Sequence, residues 1–140
     1  MTETSNTYDK PLPSLDALNR PFWEATHAHR LALQHCSDCG KARYPINHLC
    51  PHCLGEKYEW KSISGKGTVY SSIVFHQVYN QAFAGDVPYN VSLIQLDEGP
   101  RMLSNVIGVP PSDVKVGDKV EVVFDDVTGD ISIPRFQKLA

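Results

Sequence analysis

The chain has 140 residues, of which 41% are hydrophobic, and 13 basic against 16 acidic residues give it a net charge of −3. This length favours one domain or two very small ones, and it excludes a cofactor domain joined to a separate substrate domain. The acidic balance argues against a dedicated nucleic-acid-binding protein, because such proteins bind phosphates mainly through Lys and Arg. No apolar run approaches a membrane span and no signal peptide is evident at the start, so we expect a cytoplasmic protein.

The N-terminal part of the sequence divides into a tail and a helical segment. Residues 1–13 are polar and contain two prolines, which predicts a flexible tail. Residues 14–30 carry apolar side chains at near-helical spacing, and Pro21 is expected in the first turn of a helix. Phe22 and Trp23 are unusual in so small a chain. They are interpreted either as a helix face that packs on its own domain or as an aromatic anchor for a partner subunit.

Two C-x2-C pairs, separated by ten residues, predict a zinc ribbon over residues 31–62. A cytoplasmic chain does not keep such cysteines as disulfides. Two C-x2-C pairs supply the four thiolates of a tetrahedral metal site, and four ligands close that site, so the zinc is expected to be structural. Iron also fits a cage of four thiolates. The predicted ligands are Cys36, Cys39, Cys50 and Cys53.

Histidine and basic residues lie near the cysteines in the sequence and are expected to surround the metal site without binding the metal. His35, His48 and His52 are expected to be surface or supporting residues, since four cysteines leave no ligand position vacant. Lys41 and Arg43 are expected to offset the negative charge of the four thiolates. A ribbon of about 30 residues has too little core to fold by burial alone, so we expect it to need the metal.

Residues 63–140 contain five segments with strand patterns, separated by turns rich in Gly, Asp and Pro. A Pro in the last segment, Pro134, predicts an edge or a bulge. No helix long enough for a β-α-β unit lies between the segments. The chain is therefore predicted to be mainly β, with an N-terminal helix, a four-cysteine ribbon and a five-stranded OB-fold barrel. The five predicted strands cover residues 67–79, 89–96, 101–107, 119–125 and 131–138.

The order of short motifs resembles a known family over roughly residues 15–139. Pro-Phe-Trp-Glu-Ala precedes Cys-x-x-Cys-Gly, Arg-Tyr-Pro and Cys-Pro-x-Cys, and a Ser-Gly-Lys-Gly-Thr-Val stretch, a Leu-Asp-Glu-Gly turn and Val-Gly-Asp-Lys-Val follow. This order is similar to that of the zinc-ribbon OB-fold acyl-CoA-associated family, long described as a domain of unknown function. The resemblance implies a small non-catalytic subunit that pairs with thiolase-like enzymes or steroid side-chain aldolases. It also implies help in holding acyl-CoA.

The residues themselves agree with a non-catalytic role, because no Ser-His-Asp order or paired acid and base stands out. We predict an accessory subunit of a hetero-oligomer that carries structural Zn2+ and contributes to acyl-CoA binding in steroid side-chain or fatty-acyl breakdown. Basic groups near the ribbon–barrel junction are candidates for the CoA phosphates, although ordinary solvated bases would give the same pattern; these are Lys41, Arg43, Lys61 and Lys66. The candidate partner contacts are Phe22, Trp23, Phe83 and Tyr89.

Three other functions stay open from the sequence. OB-folds and ribbons both bind single-stranded nucleic acid, although the acidic C-terminal part counts against this. A rubredoxin-like electron carrier would need iron in the cysteine site. An independent CoA-thioester enzyme would need a catalytic set that the sequence does not display.

Overall fold

The computed structural model describes residue 8 and residues 10–139 of the chain. The predicted tail of residues 1–13 thus lies largely outside the described residues. None of the helices in the described part is long and apolar enough to cross a membrane. The regular elements are α1 (Arg20–His27), β1 (Ala32–Cys36), β2 (Ala42–Arg43), β3 (Tyr58–Ser62), β4 (Lys66–Phe75), β5 (Tyr89–Leu96), β6 (Arg101–Ser104), β7 (Val106–Ile107), β8 (Lys119–Asp126) and β9 (Ser132–Lys138).

A turn closed by Asp16 and Asn19 sets the start of the helix. The backbone N–H of Asn19 donates to Oδ1 of Asp16 at 2.8 Å, and the backbone N–H of Asp16 donates to Oδ1 of Asn19 at 2.9 Å. Helix α1 follows at once with Pro21 in its first turn, where the missing N–H costs no hydrogen bond. The predicted helical segment of residues 14–30 therefore holds this turn and one helix, which packs on β1, β8 and β9.

The ribbon is a three-stranded antiparallel sheet in the order β2-β1-β3. Gln34 in the central strand lies opposite Arg43 on one side and Trp60 on the other. Cys36 is the last residue of β1, so the first C-x2-C pair begins where this strand ends. The second pair lies in the connection between β2 and β3.

The second sheet has six strands in the order β6-β5-β4-β8-β9-β7. All neighbours are antiparallel except β7 and β9, which are parallel. The two end strands, β6 and β7, are consecutive in the chain and are separated only by Asn105, so the row of strands curls until its ends meet there. The predicted OB-fold is confirmed, but the predicted third strand over residues 101–107 is split in two. Its first half pairs with β5 and its second half pairs with β9.

Pro134 lies inside β9, opposite Phe124 of β8. On its other side, β7 pairs with β9 only from Phe136 onwards. Pro134 therefore occupies a position where the strand has no neighbouring backbone to donate to, which is the condition under which a strand tolerates proline. The Oγ of Ser104 donates to the Pro134 carbonyl at 2.9 Å and occupies that gap.

One hydrophobic core joins the helix, the ribbon and the barrel. Phe22 of α1 and Leu33 of β1 belong to the same buried cluster as Ile94 and Phe136 of the barrel. The chain passes from ribbon to barrel at Gly65, which has a φ of +76°, and a Cβ there would come within 2.4 Å of a Val122 methyl group. Only glycine adopts this positive φ readily and also has no Cβ to collide with Val122. The backbone of Gly65, as well as the shared core, therefore fixes how the ribbon joins the barrel.

Candidate functional site

The four cysteine sulfurs converge on one point of the ribbon. All four Sγ atoms lie within 4.8 Å of one another, with Cys36 and Cys53 at 3.5 Å and Cys39 and Cys50 at 3.6 Å. A tetrahedral zinc ion with bonds of about 2.3 Å separates its sulfur ligands by about 3.8 Å. The sulfur positions fit a structural zinc ion held by these four residues, as predicted from their spacing.

Each C-x2-C pair is folded into a tight loop that points backbone N–H groups at sulfur. The N–H of Cys39 donates to the Cys36 Sγ, and the N–H of His52 donates to the Cys50 Sγ, both at 3.4 Å. The first loop ends at Gly40 with a φ of +78°, but the matching position in the second loop is Leu54, with a φ of +64°. At the next position, Gly55, an added Cβ would lie 2.4 Å from Oδ2 of Asp38 and 3.3 Å from Sγ of Cys53, so a larger residue would require the Asp38 side chain to move.

These N–H groups favour thiolate at the first cysteine of each pair. The backbone N–H of Cys39 lowers the pKa of Cys36 below its usual value. Burial raises the pKa of Cys50, but N–H groups of Cys53 and His52 outweigh it and lower the pKa to about 6. Metal ligands bind as thiolates, so the loops prepare these sulfurs for a cation.

Arg43 has a different place from the one predicted. It is only 2% exposed, and its guanidinium donates to the Asn47 carbonyl through Nη2 at 2.9 Å while lying 4.9 Å from the centre of the Tyr58 ring. Gln34 completes the clamp, because its amide both donates to the Asn47 carbonyl and accepts from the Asn47 N–H. Arg43 therefore fixes the loop before the second cysteine pair, although its Nη1 has no hydrogen-bond partner among the described residues. Its role as a CoA phosphate ligand stays a prediction. Sequence analysis overlooked Gln34 and Asn47, since nothing local marks them.

A histidine, an aspartate and a serine meet between the helix and the barrel. Nε2 of His29 lies 2.8 Å from Oδ1 of Asp126, and the Ser132 hydroxyl donates to the same Asp126 oxygen. In a catalytic triad the histidine lies between the other two, because it takes the proton of the hydroxyl. Here the carboxylate lies in the middle and Ser132 is fully buried, so the arrangement is a structural clamp.

A cavity of about 800 Å³ separates the ribbon from the turn between β5 and β6. Of the four predicted CoA ligands, it brings together Lys41 and the buried Arg43, whereas Lys61 and Lys66 do not line it. Arg101, which the sequence analysis did not single out, lies at its β6 side over the Tyr70 ring at 3.9 Å. Two of the ribbon histidines, His35 and His52, also line this cavity, which we call the junction cavity.

The four predicted partner contacts fall in two different places. Phe22 is 1% exposed, packed edge-on against Trp23 and next to the Tyr44 ring, so it belongs to the core and not to a partner surface. Trp23 is half-buried beside it. Phe83 and Tyr89 stack on each other with ring centres 5.7 Å apart and line a second cavity at the other end of β5.

The outer side of strands β4, β5 and β6 carries a row of apolar side chains. Ile73 lies opposite Val91, and Leu93 lies opposite Leu103. Ile73 is 53% exposed and Leu103 is 67% exposed, while the alternate residues of β5 point into the core. We call these four residues the outer face.

The comparisons with known proteins agree with this architecture. Residues 23–59 match the model described as the ChsH2 rubredoxin-like zinc ribbon domain, and residues 60–125 match that of the ChsH2 C-terminal OB-fold domain. The chain belongs to the ChsH2 (DUF35) family of zinc-ribbon OB-fold proteins. A solved structure titled Ltp2-ChsH2(DUF35) aldolase superposes with a TM-score of 0.81 at 31% identity, covering 91% of this chain and 98% of the matched one.

Two curated relatives place ChsH2-family segments in larger proteins or in complexes. A probable enoyl-CoA hydratase alpha subunit of Thermomonospora curvata is 34% identical over 139 residues, which are 97% of this chain and 43% of the relative. The benzoylsuccinyl-CoA thiolase subunit BbsA of Thauera aromatica is 30% identical over 96 residues, 66% of this chain and 61% of the relative. The chain thus spans less than half of the first relative and under two thirds of the second.

Proposed function

We propose that this chain is a non-catalytic accessory subunit of an acyl-CoA-processing complex, which binds a thiolase-type or aldolase subunit and helps to hold the CoA thioester. The observation that carries the proposal is the near-complete superposition on a chain from a two-component aldolase. The names of the two curated relatives, one a hydratase alpha subunit and one a thiolase subunit, support the same class of role. The chemistry is assigned to the partner, because the described residues offer the structural sulfur site and the clamp of His29, Asp126 and Ser132 in place of a catalytic set.

The outer face is the surface we assign to the partner. Three of its four residues lie in a stretch of sequence, residues 67–96, that holds a single charged residue, Asp86. Association there would bury the exposed side chains of Ile73 and Leu103, and apolar side chains of this kind form the centre of an interface. The proposed occupant is a complementary uncharged surface of the thiolase-type subunit.

The junction cavity is the place we assign to the CoA phosphates. Lys41 and Arg101 contribute two cationic groups at its rim, and the one acidic residue lining it, Glu98, already accepts from the Ser64 N–H at 2.9 Å. Charge-assisted hydrogen bonds to phosphate are stronger than neutral ones, so two such groups give useful affinity. The proposed phosphate site therefore consists of Lys41 and Arg101, together with Arg43, which lines the same cavity and has an Nη1 without a partner among the described residues.

Co-expression with the thiolase-type protein encoded beside this chain tests the proposal. We expect the two proteins to co-purify, and the substitution Leu103→Arg to abolish this while Val116→Arg, at a similarly exposed position that is not one of the four outer-face residues, does not. In the complex, Lys41→Glu and Arg101→Glu should raise the KM for the CoA thioester about tenfold or more, whereas Lys61→Glu should not. A partner that is fully active and monodisperse without this chain would overturn the proposal.

A further inference from the structure

The second cavity lies where OB-folds generally bind their ligands. In this fold, ligands lie on strands two and three and beside the loop between strands one and two. The corresponding parts of this barrel are β5, β6 with β7, and residues 76–88, and the cavity is lined by Phe83 of that loop, Tyr89 and Val91 of β5, and Ile107 of β7. We call it the loop cavity.

The size and walls of the loop cavity suit an apolar group. Its volume is about 720 Å³, within the range of about 300–1,000 Å³ found for small-molecule sites. Val109 and Ile133 join the four residues named above, and three prolines also line it. Water held against such walls is readily displaced by hydrocarbon, and each methylene buried contributes about 0.8 kcal/mol.

One end of the loop cavity is polar, and Arg135 offers a hydrogen-bond donor there. The Asn105 amide donates to the Asn90 carbonyl, and its oxygen accepts from Nη1 of Arg135. Nε of Arg135 donates to Asp125 at 2.9 Å. Nη2 of Arg135 has no acceptor among the described residues, so a ligand that brings an oxygen to this end finds a donor.

The charges around the loop cavity are paired, which argues against a phosphate ligand. Nζ of Lys10 lies 2.6 Å from Oδ2 of Asp86, and Arg135 is paired with Asp125. The Lys10 ammonium also lies 5.4 Å from the centre of the Phe83 ring, so the segment around it forms one wall of the cavity. The local charge sums to zero, whereas a site for nucleic acid or for the CoA phosphates needs free cations.

We infer that the loop cavity binds the acyl group of the thioester: an apolar chain or ring that carries a carbonyl-type oxygen, which accepts a hydrogen bond from Arg135. This inference rests on the proposed function and adds to it a place for the acyl group on this chain. It separates the two ends of the ligand, since the phosphates are assigned to the junction cavity at the far end of β5.

Titration of the isolated, zinc-loaded chain with octanoyl-CoA and with CoA tests the inference, read by amide chemical shifts and by calorimetry. We expect octanoyl-CoA to bind at least tenfold more tightly than CoA, with shifts at Tyr89, Ile107 and Arg135. The variant Ile107→Trp, which fills the cavity, should remove this gain, and Val116→Trp should keep it; thermal unfolding checks that both variants fold.

Equal affinity for the two ligands, or a gain that survives in the Ile107→Trp variant, would overturn the inference. So would tight binding of a 15-residue thymidine oligonucleotide that Ile107→Trp abolishes, because the cavity would then serve nucleic acid. Co-purification of the same variants with the thiolase-type protein is measured in a separate experiment, which tests the accessory-subunit function independently of the acyl site. A complex that forms normally with no acyl preference in this chain would leave the accessory-subunit function standing and remove only the acyl site.

Discussion

The side-chain amide of Asn90 holds the backbone of Val106 as a neighbouring strand would. Its Nδ2 donates to the Val106 carbonyl at 2.6 Å, and its Oδ1 accepts from the Val106 N–H at 2.9 Å. β5 and β7 have no backbone ladder between them, and β6 pairs with β5 only from Ser92 onwards, so this side chain links β7 to the part of β5 that β6 leaves open. Asn90 is 5% exposed, and its oxygen also accepts from the Ser92 hydroxyl, so the bridge is buried.

Replacing Asn90 with Ala should therefore open the seam of the barrel. Both backbone groups of Val106 would be left buried without partners, at about 1–3 kcal/mol each, so we expect the free energy of unfolding to fall by about 2–6 kcal/mol. Urea unfolding followed by circular dichroism measures this. Asn80→Ala is the matched control, since the Asn80 amide is exposed and accepts only from the Ala82 N–H. A loss no larger than that of Asn80→Ala would show that the bridge is not needed.

Zinc removal should unfold the ribbon and weaken the barrel. Zinc binding contributes about 10–16 kcal/mol in finger peptides, as much as the whole stability of a typical domain. Because Leu31 and Leu33 share a core with the barrel, we expect chelation to reduce hydrogen-exchange protection over residues 31–62 and also in β4 and β5. Metal analysis should find one zinc per chain in the wild type and in His52→Ala, and much less in Cys39→Ser. Native protection of residues 31–60 in metal-free protein would contradict this.

Truncation of Phe22 separates the two interpretations of the helix. Because this ring is buried against Trp23 and Tyr44, Phe22→Ala should lower the free energy of unfolding by about 3–5 kcal/mol. Leu15→Ala, at a residue 39% exposed on the same segment, should change it by no more than about 0.5 kcal/mol. Thermal and urea unfolding of the isolated chain measure both. A variant Phe22→Ala that is stable alone but loses the partner would restore the anchor interpretation.

Acid should weaken the contact between the helix end and the barrel. The pKa of Asp126 lies below its ordinary value of 3.8, first because the Ser132 hydroxyl donates to it and second because His29 does. A lowered pKa means that the folded state releases this proton more readily than the unfolded state. The Asp126 carboxylate therefore stabilises the fold fully at a pH above its ordinary pKa of 3.8. This stabilisation is lost as the pH falls through the lower pKa of the folded state.

The measurement is the difference in Tm between wild type and Asp126→Asn, which should shrink between pH 6 and pH 3. Acid also releases zinc from both proteins, so the difference and not the absolute Tm is compared. Asp130→Asn is the control, because the carboxylate of Asp130 makes no ion pair within the described part of the chain. If the difference in Tm between wild type and Asp126→Asn stayed constant with pH, the Asp126 carboxylate would not be the group that stabilises this contact.

Features encoded locally were predictable from the sequence. The C-x2-C spacing places two sulfurs on one tight loop, independently of the rest of the chain. The four metal ligands could therefore be assigned from the two four-residue motifs alone. The bounds predicted for the strand over residues 89–96 match β5 residue for residue. Its core side differs from the apolar alternation, because Asn90 and Ser92 are buried whereas Val91 and Leu93 face out. The order of these motifs also indicates the zinc-ribbon OB-fold family, which the family models confirm.

What depended on contacts between distant residues was decided only by the tertiary structure. Arg43 has the sequence signature of a surface base, yet the carbonyl of Asn47 and the ring of Tyr58 bury it. Arg101 reaches the junction cavity because a turn returns the chain beside the ribbon. The barrel closes through Asn90 and Val106, sixteen residues apart. A sequence pattern reports which face of one element is apolar, whereas burial of a charge, closure of a sheet and the walls of a cavity need two or more elements to meet.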